Sequence, residues 1–185
     1  MESGQRLHRE ALRGGWGRAQ ERLVLGEGSA WIWNVAADRG SGAHELLDFY
    51  HGSEHLWELG RALGKDDEGP TRGWVEPRLH ELRHGREQKL LKELAALKLP
   101  GDPAGETVRQ QPNYFAGHAG RMNDQETAAR GWPIGSGAVE SACRQSPCRC
   151  KRSGQFWTGP GLRAWCALDD ARRNFHWDDL FWPVP

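Results

Sequence analysis

The sequence predicts a mostly helical chain with one small α/β portion near its N-terminal end. Two short apolar runs, at residues 23–25 and 44–50, are bounded by turn residues and are typical of buried strands. Leucines recur at three- and four-residue intervals in residues 54–63 and 76–99, which predicts amphipathic helices. The fold class is therefore mostly α, and a single strand–helix–strand unit forms its α/β part.

The first predicted strand, at residues 23–25, leads directly to a carboxylate. Glu27 lies between two glycines at the C-terminal tip of this strand, and Ser29 is a predicted N-cap of the helix that follows. Parallel α/β folds place ligand chemistry at the C-terminal tips of their strands. Glu27 is therefore a candidate functional residue.

The second strand is predicted to end near Asp48, and the rest of the chain alternates helices with loops. Gly85 lies inside the longest predicted helix and could divide it into two. We predict helices at residues 54–63, 76–99, 114–122 and 161–174, loops at residues 65–73 and 100–112, and a docked aromatic tail at residues 177–185.

Residues 131–143 begin with turn residues and continue as a helix. Pro133 and two glycines interrupt the preceding element, and Ser136 is a predicted N-cap. Glu140 then falls on the first turns of this helix. Two interpretations follow: Glu140 is a metal-binding or acid/base group beside a phosphate-binding surface, or the segment is a glycine-rich loop before an ordinary surface helix.

Charge is unevenly distributed along a chain whose formal net charge is zero. Residues 44–68 hold seven acids and two bases, whereas residues 121–163 hold seven bases and three acids. The neutral total excludes a chain that binds nucleic acid through its overall charge, but a local basic surface can still bind phosphate. The candidate DNA-binding residues lie in a run without acids after Glu140: Arg144, Arg149, Lys151 and Arg152. The alternative for these bases is a solvated surface.

Several short blocks, in fixed order over nearly the whole chain, resemble a bacterial insertion-sequence transposase family. The family is the ISKra-type branch of the DDE, RNase H-like transposases. The matching blocks are residues 25–34, 47–51 with 54–56, 134–137, 139–143, 151–154 and 177–182. The resemblance implies a fold that is α/β by ancestry, with a partial RNase H-like sheet, a helical insertion and a C-terminal helix. It divides the chain into residues 1–56, 57–125 and 126–185.

The resemblance also implies a chemistry and its residues. Such transposases hold two divalent ions, Mg²⁺ or Mn²⁺, with three carboxylates, and they cleave DNA phosphodiesters and transfer strands. It assigns the third carboxylate to Glu140 and the second to Glu27, where the family has Asp. Both would be metal ligands. The first Asp belongs to an earlier strand, and no residue in 1–22 matches its pattern.

We therefore expect a C-terminal transposase fragment that is inactive alone. The glutamate at position 27 displaces the carboxylate oxygens by roughly an ångström relative to Asp, and such misplacement can cost on the order of 100-fold in rate. Pro147 is expected to break a helix that is continuous in the family. The expected partners are transposon-end and target DNA, and a second copy of the chain or a complementary N-terminal fragment. The expected location is the cytoplasm, without a membrane.

Asp48 and His51 form a D-x-x-H pair, which in related transposases lies near the active site. Asp48 is a candidate accessory catalytic group. The alternative is a structural hydrogen bond between the two residues at a strand–helix junction. A zinc metallopeptidase is a rival hypothesis, because residues 51–55 match H-x-x-E-H, with His51 and His55 as ligands and Glu54 as general base.

A third hypothesis is a DNA-binding remnant that no longer cleaves DNA. It would use the bases already named together with Arg163, and its binding would be weak and sensitive to salt. The ten tryptophans are predicted mainly as core residues, with base stacking as the alternative. Four cysteines crowd residues 143–166, where reduced thiols are expected and a zinc site is the alternative.

Overall fold

A computed structural model describes residues 2–97 and 105–181. The chain divides into two compact units, Met1–Ser136 and Gly137–Pro185. Within the described ranges, the first unit contains α1 (Glu2–Arg13), β1 (Leu23–Gly26), α2 (Ala30–Arg39), β2 (His44–Leu47), α3 (Phe49–Gly64), α4 (Glu68–Arg83), α5 (Glu87–Ala95), α6 (Gly105–Gly117) and α7 (Asp124–Ala129). The second contains α8 (Gly137–Cys150), α9 (Gly159–Arg173) and α10 (Trp177–Phe181).

The two strands form a small parallel sheet, and α2 connects them. Leu23 pairs with His44 at one end of the sheet and Gly26 pairs with Leu47 at the other. The predicted strand–helix–strand unit is thus present, and the chain is mostly helical with a two-stranded parallel sheet. The second strand ends at Leu47, next to Asp48 as predicted, and Asp48 then caps α3.

The core of the first unit lies where α3 packs against α4 and α6. The leucine spacing predicted this interior: Leu56 and Leu59 of α3, Leu82 of α4 and Leu90 of α5 are each at most 2 % exposed. Phe115 of α6 is fully buried among them. Burial of such side chains stabilises the fold by roughly 1.5–3 kcal/mol each.

The tryptophans follow the core prediction only in part. Trp33 is buried in the core of the first unit, and Trp57 and Trp74 pack against that core. Trp31, on the same helix as Trp33, is 54 % exposed.

The predicted charged loop at residues 65–73 is wrong, because α4 already begins at Glu68. The Asp67 side chain caps this helix and accepts the backbone N–H of Gly69. Pro70 lies in the first turn, where a backbone N–H has no helical partner to lose. Proline and charge therefore mark a helix start here.

The long helix predicted at residues 76–99 is divided, as Gly85 allowed. α4 ends at Arg83 and α5 begins at Glu87, and Gly85 between them has a left-handed φ of +68°. Glycine adopts this backbone conformation at little cost, which permits the reversal between the two helices.

The loop predicted at residues 100–112 is wrong over its described part, because α6 begins at Gly105 and continues through Pro112. The helix predicted at residues 114–122 is divided between the end of α6 and a 3₁₀ turn at Ala119–Arg121. The short helix α7 was not predicted.

The second unit, described by itself, is built on α8 and α9. α8 runs from Gly137 to Cys150 without a break, so the break expected at Pro147 is wrong. A proline removes one backbone donor, and the neighbouring helical bonds do not depend on it. The Thr158 side chain accepts the N–H of Gly161 and caps α9.

The described part of the second unit buries little apolar surface. Among its described side chains, the buried ones are Asp169 and Ala171. The rings of Trp177 and Phe181 lie 5.2 Å apart, but the two side chains are 41 % and 53 % exposed. The described part of the tail, α10, contacts α9, although these two side chains stay partly exposed. The remainder of the predicted tail lies outside the described residues.

The division into residues 1–56, 57–125 and 126–185 comes from the family resemblance and stays a prediction. Its first boundary falls inside α3, and its second falls inside α7.

Two helical glycines test the packing of α3 against α4. A methyl group at Gly60 would overlap Val75, whereas one at Gly73 meets nothing within 4 Å. We expect Gly60→Ala to lower the free energy of unfolding by about 1–3 kcal/mol through overpacking. Gly73→Ala should raise it by about 0.5–1 kcal/mol, because alanine is the better helix former. Urea denaturation followed by circular dichroism measures both, and equal effects of the two substitutions would contradict this packing.

Candidate functional site

The C-terminal edge of the sheet carries one carboxylate after each strand. Glu27 follows β1 and Asp48 follows β2, and the strands pair in register up to Gly26 and Leu47. The backbone N–H of Asp48 donates to the Gly26 carbonyl at 2.8 Å, which continues the ladder by one bond. The two predicted site residues therefore leave the sheet side by side.

Asp48 is buried, with 1 % of its surface exposed, and its oxygens are occupied by backbone donors. Oδ1 accepts the N–H groups of Tyr50 and His51 at 2.8 and 3.2 Å. Oδ2 accepts the N–H of Ser136 at 2.6 Å. Asp48 thus caps α3 and also holds the residue that precedes α8. These contacts favour a positioning role, and the accessory catalytic role stays a prediction.

The surroundings of Asp48 keep it ionised. Burial alone would raise the pKa of this carboxyl, but the hydrogen bonds from the hydroxyl and N–H of Ser136 and from the start of α3 outweigh burial. The pKa of Asp48 therefore lies below its ordinary value. The hydrogen bond suggested between Asp48 and His51 is present, and its donor is the backbone N–H of His51.

The loop held by Asp48 packs tightly on the start of α3. The N–H of Phe49 donates to the Ile134 carbonyl at 2.9 Å. A side chain at Gly135 would overlap the Tyr50 ring, which would then have to move. Gly135 thus permits a close approach of the loop to the start of α3.

Glu27, by contrast, is half exposed and has one oxygen turned toward a histidine. Its Oε1 accepts the Ser29 hydroxyl at 2.8 Å, and its Oε2 lies 3.6 Å from Nε2 of His51. Ser29 precedes α2 as predicted, but its hydroxyl binds Glu27 and makes no cap hydrogen bond. Glu27 is the accessible carboxylate of this edge.

Tyr114 of α6 and His118, just beyond the end of α6, line the same edge, and no local sequence pattern predicts them. The Tyr114 hydroxyl donates to the Glu27 carbonyl at 2.9 Å. Gly28 has a φ of +100°, and a side chain there would overlap Tyr114 and meet His118 at 3.0 Å. Tyr114 and His118 are one helical turn apart, but nothing in that spacing indicates a partner almost 90 positions earlier in the chain.

The surroundings of Tyr114 and His118 disfavour the charged form of each side chain. Burial, followed by the negative charges of Asp48, Glu27 and Glu54, raises the pKa of the Tyr114 hydroxyl well above its ordinary value. Burial, followed by the charge of Arg121, lowers the pKa of His118. The edge therefore combines carboxylates with a neutral phenol and an imidazole of lowered basicity.

The H-x-x-E-H residues on α3 contact different partners. His51 Nδ1 lies 3.8 Å from Glu54, whereas His55 Nδ1 lies 2.6 Å from the Gln111 carbonyl oxygen. The two imidazole rings are 6.3 Å apart, and His55 packs on Tyr114 at 3.8 Å. Over residues 2–97 and 105–181, no group of three or more His, Cys, Asp or Glu side chains could hold a metal ion. No zinc site is therefore assembled from these residues.

Glu140 belongs to the second unit, where it lies exposed on the first turn of α8, as predicted. The candidate DNA-binding bases follow it on α8 and just beyond, and each is exposed. Arg149 pairs with Asp169 of α9 at 3.2 Å. Arg152 donates through Nε to the Cys148 carbonyl at 3.1 Å, which satisfies a carbonyl at the end of α8.

Asp169 joins α8 to α9 by ion pairs. This carboxylate is 7 % exposed and also binds Arg172 and Arg173 of its own helix, at 3.3 and 2.6 Å. The hydrogen bond from Arg173 is the main reason that the pKa of Asp169 is lowered. The four cysteines of this unit are free thiols, and burial raises the pKa of Cys150.

Comparison with protein-family models, with curated proteins and with solved structures finds no match for this chain. Among the described helices, none is long and apolar enough to cross a membrane.

Asp48→Asn tests the carboxylate that joins β2, α3 and the loop before α8. The amide keeps one acceptor oxygen, but its NH₂ group would face either the Ser136 N–H or the donors of α3. We expect the free energy of unfolding to fall by about 1–3 kcal/mol at pH 7. Asp67→Asn, at the exposed cap of α4, should change it by only a few tenths of a kcal/mol.

The pH dependence of this difference follows from the lowered pKa of Asp48. A carboxyl with a lowered folded-state pKa stabilises the fold above its unfolded-state pKa of roughly 4 and loses that contribution as pH falls further. Urea denaturation between pH 2 and 7 should therefore show the Asp48→Asn difference shrinking below about pH 4. A difference that stays constant down to pH 2 would contradict the assignment of these hydrogen bonds to an ionised carboxylate.

Proposed function

We propose that the chain is related to the RNase H-like, DDE-type transposases, and that its described residues bind DNA but do not cleave it alone. The observation that supports this most strongly is the edge of the parallel sheet. Acids follow both strands there, and the loop before α8 is held to the same edge through Asp48. The sequence blocks that resemble the ISKra-type family include each of these positions.

The metal chemistry of the family does not fit the described residues. Mg²⁺ and Mn²⁺ prefer several oxygen ligands, and two such ions need a cluster of carboxylates. Glu27 and Glu140 belong to different units, Asp48 is occupied by backbone donors, and the described residues form no group of three ligands. We assign no reaction step to a metal, and any further carboxylate would have to come from outside the described residues.

DNA binding is assigned to the second unit, because this unit has a run of exposed basic side chains that no acidic residue interrupts. Residues 141–168 contain five bases and no acid. Arg149 is engaged with Asp169, whereas Arg144, Lys151 and Arg152 pair with no carboxylate of the described chain. Basic side chains of this kind neutralise DNA phosphates and release the counterions of the DNA. Their binding to DNA is therefore sequence-tolerant and dependent on salt.

The salt dependence of duplex binding tests this assignment. We expect micromolar binding of a 20-base-pair duplex, measured by fluorescence anisotropy between 50 and 200 mM salt. Replacement of Arg144, Lys151 and Arg152 by Gln should make the slope of log K against log salt less steep by about 2–3, since each phosphate contact contributes roughly 0.9.

A charge-matched triple variant in the first unit, Arg9, Arg18 and Lys92 to Gln, is the control and should leave the slope nearly unchanged. All three of its side chains are exposed. Equal effects of the two triple variants, or no salt-dependent binding by the wild-type chain, would refute the proposed DNA binding.

Plasmid nicking tests the proposed lack of cleavage. Incubation of supercoiled plasmid with the chain and Mg²⁺ or Mn²⁺ should give no more nicked product than a Glu27→Gln/Glu140→Gln double variant. Gel electrophoresis measures this. Nicking that the double variant abolishes would mean that the described carboxylates suffice for catalysis, and the proposal of an incomplete catalytic set would be wrong.

A further inference from the structure

Phe156 is an apolar ring left almost entirely in water. It lies in the segment between α8 and α9, and 96 % of its surface is exposed. A single exposed aromatic ring is common on protein surfaces, so the charge of its surroundings decides whether it can serve a ligand. The residues around it are cationic: the sequence from 141 to 168 contains five bases and no acid.

The turn that carries Phe156 is fixed on both sides of it. The Gln155 N–H donates to the Arg152 carbonyl at 3.0 Å, and the Gln155 side-chain oxygen accepts the Arg152 N–H at 3.2 Å. On the other side, Nε1 of Trp157 donates to the Cys150 carbonyl at 2.9 Å. The ring is thus presented from a closed turn, and little order would have to be gained on binding.

The cations beside Phe156 are available to a ligand. Lys151 and Arg152 lie five and four positions before it in the sequence and are exposed, as is Arg163 on the first turns of α9. Within the part of the chain that the structure describes, none of the three pairs with a carboxylate. Nε of Arg152 donates to the Cys148 carbonyl, and its other N–H groups have no carboxylate partner among the described residues. An exposed aromatic ring on a cationic segment is the combination that binds single-stranded nucleic acid, through base stacking and phosphate contacts.

A second exposed phenylalanine in the same unit has the opposite surroundings. Phe175 is 94 % exposed, but residues 169–181 contain four acids and two arginines, and both arginines bind Asp169. Exposure alone therefore does not distinguish the two rings. The charge around them does, and it favours a polyanion at Phe156 only.

We propose that Phe156 is a stacking residue for an unpaired base of single-stranded DNA, with Lys151 and Arg152 on the neighbouring phosphates. The bases of a duplex are already stacked on one another, so the ring adds affinity only where a base is unpaired. This inference rests on the proposed DNA binding and adds a preference for single strands.

The test compares a fluorescein-labelled oligothymidylate of 15 nucleotides with a duplex of the same length, by anisotropy. Phe156→Ala should weaken binding to the single strand by about 5- to 150-fold, the range typical of one stacked base, and change duplex binding less than twofold. Phe156→Trp should retain single-strand binding, and Phe175→Ala should leave both affinities unchanged.

A 2-aminopurine placed in the oligothymidylate gives a second readout. Stacking on an aromatic ring quenches its fluorescence, so the wild-type chain should quench it at saturation and Phe156→Ala should not. The exposed side chain at position 156 makes no core contact, and circular dichroism checks that the variant keeps its helix content.

The outcomes separate this inference from the proposed function. Unchanged single-strand affinity in Phe156→Ala, with normal duplex binding, would overturn the stacking role alone. An equal loss for single strand and duplex would also overturn it, since a structural effect would explain the result. Absence of binding to either DNA by the wild-type chain would overturn both the inference and the proposed DNA binding.

Discussion

The first unit depends on one buried carboxylate that three chain segments share. Asp48 ends the second strand, caps α3 and binds the backbone of Ser136 88 positions later. An ionised group is costly to bury unless each of its oxygens has donors, and here the backbone supplies them. The geometry of the strand end, the helix start and the glycine loop is therefore coupled, because the strand end provides the accepting carboxylate and the other two segments provide its donors.

This coupling distinguishes the two neighbouring acids at the edge of the sheet. Asp48 is held in place by its donors and has no oxygen left to offer, whereas Glu27 on the adjacent strand is half exposed and faces His51. The fixed acid defines the edge, and the accessible acid can contact a ligand there. Tyr114 and His118 cover the Glu27 backbone because Gly28 leaves room for them.

The sequence predicted the elements whose signal is local. The apolar run at residues 23–25 and the leucine spacing of α3 depend on neighbours a few positions away, and both predictions are confirmed. The helix boundaries were predicted wrongly mainly near prolines. Pro70 lies in the first turn of a helix, and Pro112 and Pro147 lie within helices. At the candidate site, the sequence predicted the two acids that follow the strands, Glu27 and Asp48. The contact of Tyr114 with Glu27, made across a large sequence separation, has no local signature.

The chain is neutral overall, but its acids are concentrated at residues 44–68 and its bases at residues 121–163. The excess of positive charge affects the stability of the second unit. Its described part has almost no apolar interior, so ion pairs through Asp169 and the cap at Thr158 contribute much of its internal order. Ion pairs at a surface are weak, individually about 0–1 kcal/mol. A helical pair held in this way gains stability from any ligand that binds only its folded form. DNA phosphates bound to Arg144, Lys151 and Arg152 would supply such a ligand. They would also relieve the mutual repulsion of these cations, which no described carboxylate balances.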